Sequence, residues 1–106
     1  MDKNKKGECP IEKTIEFLGQ KWTMLILRHL ETNKILRFNE LLTTMPQISP
    51  RTLSKRLKEL EEHKYIIKKK YNELPPKVEY SLTEKGKAYG QFLEQFNKLV
   101  QKWDNK

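Results

Sequence analysis

Apolar residues first recur at helical spacing just after Cys9-Pro10, where Ile11, Ile15 and Leu18 fall three and four apart. Pro10 suits a first helical turn, because the N–H it lacks would have no partner there. Gly19 interrupts the run. Trp22, Leu25, Ile26 and Leu30 then predict a second helix, with Met24 and Leu27 widening its apolar face enough for central burial. A turn at 32–34 leads to Ile35-Leu36-Arg37, long enough only for a small strand. Phe38, Leu41 and Leu42 mark a short helix that ends before Pro46, since a residue preceding proline is pushed out of helical geometry. Ser49 and Pro50 form a start signal for the next helix: a hydroxyl able to accept from a free amide, then a ring pre-set for the first turn. That helix is expected from about Pro50 to His63.

From Tyr65 the period changes from helical to alternating. The segments YIIKKKY and KVEYSL are rich in aromatic and β-branched residues and are joined by NELPP. Val78, Tyr80 and Leu82 alternate with Lys77, Glu79 and Ser81, which predicts a hairpin with one apolar face and a proline-stiffened tip. Thr83 caps a last helix from about Glu84 to Trp103. The expected fold class is therefore mainly α with a small β-hairpin (α+β), in one domain at 9–106 behind a short charged arm at 1–8.

Charge changes the picture most in the 50–63 helix. At ~100° per residue, Leu53, Leu57 and Leu60 cluster in a narrow arc, and Arg51, Lys55 and Lys58 fall opposite them. Thr52 and Ser54 lie on the flanks, and Arg56 sits at the edge of the apolar arc, where its stem can pack while its head reaches outward. Residues 50–82 hold nine Lys/Arg against five acids, and Glu59, Glu61 and Glu62 gather at the far end of the helix. The N-terminal half is free of acids.

A cationic face opposite a leucine seam is, on an arbitrary helix, ordinary solvated surface. Here it follows a capped start and a short preceding helix, and a basic hairpin comes directly after it. Together these read as a winged helix-turn-helix whose second helix has the diameter to enter the major groove. Arg51 and Lys55 are the candidates for base edges, with Thr52 and Ser54 able to meet a phosphate or a thymine methyl. Arg56, Lys58 and the wing residues Lys68, Lys69, Lys70 and Lys77 are candidates for the phosphate backbone, and the cap residue Ser49 is counted with the DNA-binding residues.

Composition agrees with a polyanionic partner. Over the 106 residues, 22 Lys/Arg face 14 acids, a formal charge of +8. A lone cysteine cannot form an internal disulfide, the N-terminus has no apolar signal core, and no run nears the ~20 apolar residues of a membrane span. The expectation is a cytoplasmic protein with no membrane partner. No Cys/His cluster, phosphate loop or nucleophile–base set is visible, so neither metal, cofactor nor enzyme chemistry is expected. The rivals are a winged-helix module for protein contacts, which would bury or acidify the 50–63 helix, and a peripheral membrane helix, for which this one is too short and has no aromatic anchor.

The motifs C-P at 9–10, GQKW at 19–22, LIL at 25–27, LRFNEL at 36–41, IS at 48–49, LSKRLKELE at 53–61 and VEYSLTEKG at 78–86 together resemble the HxlR-type transcriptional regulators, winged-helix proteins of MarR-like architecture. The match spans about residues 9–100. Gln20 and Gln47 depart from glycines common in that family, but Ile48-Ser49 keeps the cap. The resemblance implies a homodimeric regulator of double-stranded DNA, usually a repressor.

The chain's own pattern also points to a dimer. Tyr89, Phe92, Phe96, Leu99 and Trp103, with Leu93 and Val100 beside them, form a stripe ~30 Å long at 1.5 Å per residue. A small domain cannot easily cover so many large side chains by itself. Residues 84–103 are therefore read as the dimerisation helix, half packed inward and half against a partner's Ile11, Ile15 and Leu18. Cys9 is placed at a helix start with Lys5 and Lys6 nearby, a setting that favours the thiolate. The resemblance implies that it senses an oxidant or electrophile; the alternative is a half-buried structural thiol.

Overall fold

The computed structural model describes residues 10–104, so the expected arm at 1–8 and the environment of Cys9 lie outside the described residues. The elements run α1 (Pro10–Leu18), α2 (Thr23–Asn33), β1 (Ile35–Leu36), α3 (Phe38–Thr44), α4 (Pro50–Glu62), β2 (Ile66–Tyr71), β3 (Lys77–Leu82) and α5 (Glu84–Trp103). This is a winged helix-turn-helix: α3 and α4 form the helix pair, and β2–β3 the wing.

The three strands lie in the order β1-β3-β2, all antiparallel. Leu36 faces Tyr80 and Ile66 faces Leu82, and all four are buried. Directly facing residues share a side of the sheet, so the alternation expected in β3 holds, with Val78 half-buried towards the tip. The same register puts Lys68 and Lys70 opposite Tyr80 and Val78 on one side of the wing, and Lys69 opposite Glu79 on the other.

Ile26, Leu27 and Leu30 of α2, Leu41 of α3, and Leu53 and Leu60 of α4 have no exposed surface and form the centre of the core. The face of α2 differs from the expected one. Trp22 precedes the helix at φ 82°, and the buried stripe is Thr23, Ile26, Leu27 and Leu30. Leu25 is 46% exposed and Met24 38% exposed. At ~100° per residue Leu25 lies on the far side of the helix from Leu27 and Leu30, so it turns towards a shallow cleft that it shares with Leu93, Phe96 and Val100 of α5. In α3 only Leu41 is fully buried, with Phe38 and Leu42 packed half-buried against the core.

The start of α5 is pinned to the joint between α4 and the wing. Thr83 Oγ1 accepts from Gly86 N at 3.0 Å and donates to Lys64 O at 2.6 Å, while Thr83 N donates to Tyr65 O at 3.0 Å. A side chain at Gly86 has no room, because a Cβ there would lie 2.0 Å from Tyr65 O. Arg28 and Glu94 add an ion pair at 3.6 Å between α2 and α5.

Candidate nucleic-acid interface

The helix α4 begins as its sequence demands. Ser49 is extended at φ −83° and ψ 154°, and its Oγ accepts from Thr52 N at 3.1 Å and donates to Thr52 Oγ1 at 3.0 Å. Ser49 and Thr52 thus satisfy each other first, and Thr52 is only half-exposed. Leu53, Leu57 and Leu60 seat the helix in the core, which leaves Arg51, Ser54, Lys55 and Lys58 on the solvent side. Those four residues share one face of the helix, running from its N-terminal turn past its middle.

Arg56 is used differently from the expectation. Its Nε donates to Lys21 O at 3.1 Å and its Nη1 pairs with Glu59 Oε1 at 3.0 Å. The guanidinium is turned back onto the α1–α2 loop rather than outward. A planar fork with two fixed partners positions α4 against that loop; the apolar arc places the stem, but spacing carries no signal for a carbonyl 35 residues away.

On the wing, Lys68, Lys69 and Lys70 are exposed. Lys77 is half-buried, 3.6 Å from Glu79 Oε2 and 4.8 Å from the centre of the Tyr71 ring. Tyr71 donates its hydroxyl proton to Glu79 Oε1 at 2.9 Å, and Lys69 approaches the same ring at 5.2 Å. Glu79 therefore offsets one wing cation and holds the tyrosine, while Lys68 and Lys70 remain on the opposite side. Burial, then the Glu61 carboxylate, raises the Tyr80 hydroxyl above its ordinary range. Burial and then the neighbouring Tyr89 push Tyr65 up to about 12. Both phenols beneath the basic surface stay uncharged at neutral pH and subtract nothing from it. Burial, then Arg28, lowers His29, which sits on α2.

The predicted dimer residues divide in two. Ile11, Ile15, Phe92, Phe96, Leu99 and Trp103 are exposed, from 52% at Phe96 to 68% at Phe92. Leu18 and Tyr89 are half-buried and pack against the core. Within one chain, Ile11, Ile15 and Leu18 line a cleft of about 640 Å³ with Tyr89 and Phe92, so α1 and α5 already border one apolar surface.

An aromatic group that no periodicity announces sits behind α4. Phe17 of α1 stacks on His63 at 4.1 Å and on Tyr65 at 5.6 Å, and Tyr65 meets Tyr89 edge-on at 5.1 Å. These partners are too far apart in sequence for spacing to reveal. Among the described residues, no group of three or more His, Cys, Asp or Glu is placed to hold a metal, and no helix is long and apolar enough to cross a membrane.

Comparison with known proteins supplies the context. A sequence model described as HxlR-like helix-turn-helix matches residues 17–106. A regulatory protein, MalR of Fusobacterium mortiferum, is 42% identical over 103 residues, 97% of this chain and 93% of that protein. A MarR-family regulator from Porphyromonas gingivalis W83 superposes with a TM-score of 0.82 at 36% identity, covering 97% of this chain and 99% of that one. The reduced transcriptional regulator YodB of Bacillus subtilis superposes with a TM-score of 0.78 at 35% identity, covering 92% and 95%. Diamide-treated and quinone-bound forms of YodB are similar too, each at a TM-score of 0.74.

Proposed function

The chain belongs to the HxlR-like helix-turn-helix family of transcriptional regulators, and from that premise we propose that it acts as a cytoplasmic homodimeric repressor reading an inverted-repeat operator in double-stranded DNA. The family consists of regulators, not enzymes. The observation that carries the reading is the division of α4: three leucines hold it in the core while Arg51, Ser54, Lys55 and Lys58 stand clear. A module built for protein contacts would hide this helix or make it acidic, and it is neither.

In this reading Arg51 and Lys55 meet base edges, where a guanidinium pairs with guanine O6 and N7. Thr52, with its hydroxyl tied to Ser49, offers its methyl to a thymine, and Ser54 and Lys58 reach phosphates. Lys68, Lys69 and Lys70 follow the backbone beside the wing, and Lys77 acts from its seat on Tyr71. The exposed stripe on α5 with Ile11 and Ile15 supports a two-fold pair, which sets the two reading helices about one DNA turn, ~34 Å, apart or a multiple of it. Cys9 is assigned as an oxidant- or electrophile-responsive thiol by analogy with YodB, whose diamide-treated and quinone-bound states are known.

The test is selection of bound duplexes from a random pool, with the protein reduced and then diamide-treated. A symmetric repeat from the reduced protein, lost on oxidation and retained by Cys9→Ser, is the expected outcome. Arg51→Ala should weaken the selected operator by ~1–3 kcal/mol and relax one base position. Equal losses on operator and random DNA would show instead that Arg51 touches only phosphate. Binding of a single, unrepeated half-site would remove the dimeric mode.

A further inference from the structure

Two elements bracket α4. At ~100° per residue, Thr52, Arg56 and Glu59 lie on one flank of its solvent face, and Ser54 and Glu61 on the other. The Glu61 flank faces the wing: after burial, the Glu61 carboxylate is what raises the Tyr80 hydroxyl of β3. On the opposite flank stands the α1–α2 loop, residues 19–22, joined to α4 by the bond from Arg56 Nε to Lys21 O at 3.1 Å. The loop is short and held by its own backbone as well. Gly19 N donates to Ile15 O at 2.8 Å, and Thr23 N to Gln20 O at 3.2 Å.

Lys21 is the cation that this arrangement brings forward. Its carbonyl is turned to Arg56, while its exposed side chain lies over the Trp22 indole with Nζ 5.2 Å from the ring centre. The ring steadies the ammonium group without neutralising it. Among the described residues no carboxylate is paired with it. From this geometry we infer that Lys21 contacts a DNA phosphate on the side of the major groove opposite the wing, so that α4 is clamped from both flanks.

This contact rests on the DNA-binding reading, in which α4 lies in the major groove. The groove is about 12 Å wide and a helix with its side chains about 10–12 Å across, so a seated helix has a phosphate strand close on either side. Lys68 and Lys70 can serve the strand on the wing side. Arg51, Lys55 and Lys58 belong to the central face of α4 rather than to the Arg56 flank. Lys21 supplies a cation on that flank, and Glu59 does not oppose it, because Arg56 Nη1 offsets that carboxylate at 3.0 Å. A phosphate contact carries no sequence information. Its effect therefore falls on affinity and salt dependence, not on which bases are preferred.

The experiment measures binding of the full chain to its selected operator and to a random duplex across a salt series, for Lys21→Gln, Lys21→Arg and Lys98→Gln. Lys98, an exposed lysine of α5, controls for the loss of one positive charge. Lys21→Gln should weaken both duplexes several-fold and flatten the slope of log affinity against log salt by about one unit per bound chain. Base preference should stay as it was. The carbonyl that Arg56 uses is backbone, so the melting temperature should stay close to that of the parent. Lys21→Arg and Lys98→Gln should both keep the parent slope. Ethylation interference then places the contact. Ethylation at the phosphate met by Lys21 should inhibit the parent but not Lys21→Gln, and that phosphate should lie across the major groove from the one identified in the same way with Lys68→Gln. An unchanged slope in Lys21→Gln overturns the contact alone, as does an equal flattening in Lys98→Gln, which would reduce it to diffuse charge. A Lys21 phosphate on the wing side overturns the two-flank clamp. A parent chain that binds neither duplex overturns the DNA-binding reading itself, and this contact with it.

Discussion

Arg56 and Thr23 each show a side chain whose neighbours, rather than its type, decide its role. Arg56 counts towards the basic face in sequence, yet its guanidinium is bonded to Lys21 O and Glu59. A residue touching phosphate would contribute about one unit to the salt dependence of DNA binding when removed. Arg56→Gln should instead leave the salt slope unchanged while lowering stability by about 1–2 kcal/mol, because Lys21 O and Glu59 lose a charged donor. A changed slope with unchanged stability would return Arg56 to the DNA surface. Thr23 is fully buried, and its hydroxyl has no hydrogen-bond partner among the described residues. An unpaired buried hydroxyl costs about 1–3 kcal/mol, and valine has nearly the same shape without it. Thr23→Val should therefore stabilise the domain by about 1 kcal/mol, raising the melting temperature by roughly 4–8 °C. A drop in melting temperature would mean that the hydroxyl has a partner in solution.

Elements were more legible than contacts. The Ser49-Pro50 start, the Thr83 cap and the alternation in β3 are local signals, each decided by a few neighbouring residues, and the structure carries all three. The face of α2 was legible but misplaced, since spacing alone sets Leu25 opposite Leu27 and Leu30; only the left-handed geometry of Trp22, which takes it out of the helix, has no signal in the spacing. The Arg56 lock and the Phe17–His63 stack were not legible, because they depend on the packing of remote segments. Gly86 lies between these cases: its place after the Thr83 cap is plain, but its reason is the approach of Tyr65 O. Helix propensity alone favours alanine at a helical glycine by about 0.5–1 kcal/mol. A Cβ 2.0 Å from a backbone oxygen demands a shift of α5 against the α4–β2 joint, and overpacking of that kind costs about 1–3 kcal/mol. The clash outweighs the gain in propensity, so Gly86→Ala should lower the unfolding midpoint rather than raise it. A raised midpoint in chemical denaturation would show that the joint yields freely.

For the whole molecule, the same sequence must satisfy two surfaces of opposite character. The helix α4 and the wing keep cations in water, whereas α1 and α5 leave Ile11, Ile15, Phe92, Phe96, Leu99 and Trp103 exposed together. Scattered apolar residues on a monomer need no explanation, but a continuous row along two adjoining helices marks an interaction face. If the face joins two copies, DNA affinity and assembly are linked, since each half-site is held more tightly when its neighbour is already engaged. Phe92→Glu tests this without disturbing the fold, because Phe92 is 68% exposed. A buried interface aromatic contributes about 2 kcal/mol or more, so the substitution should weaken self-association by at least about thirtyfold in sedimentation equilibrium. The melting temperature of the separated chain should stay close to that of the parent at high dilution. Operator affinity should fall steeply, while the weak binding to random DNA, which depends on the cations of single chains, should change little. A variant that still sedimented as a dimer would place the two-fold contact elsewhere. One that dissociated yet kept full operator affinity would show that a single chain reads the site alone.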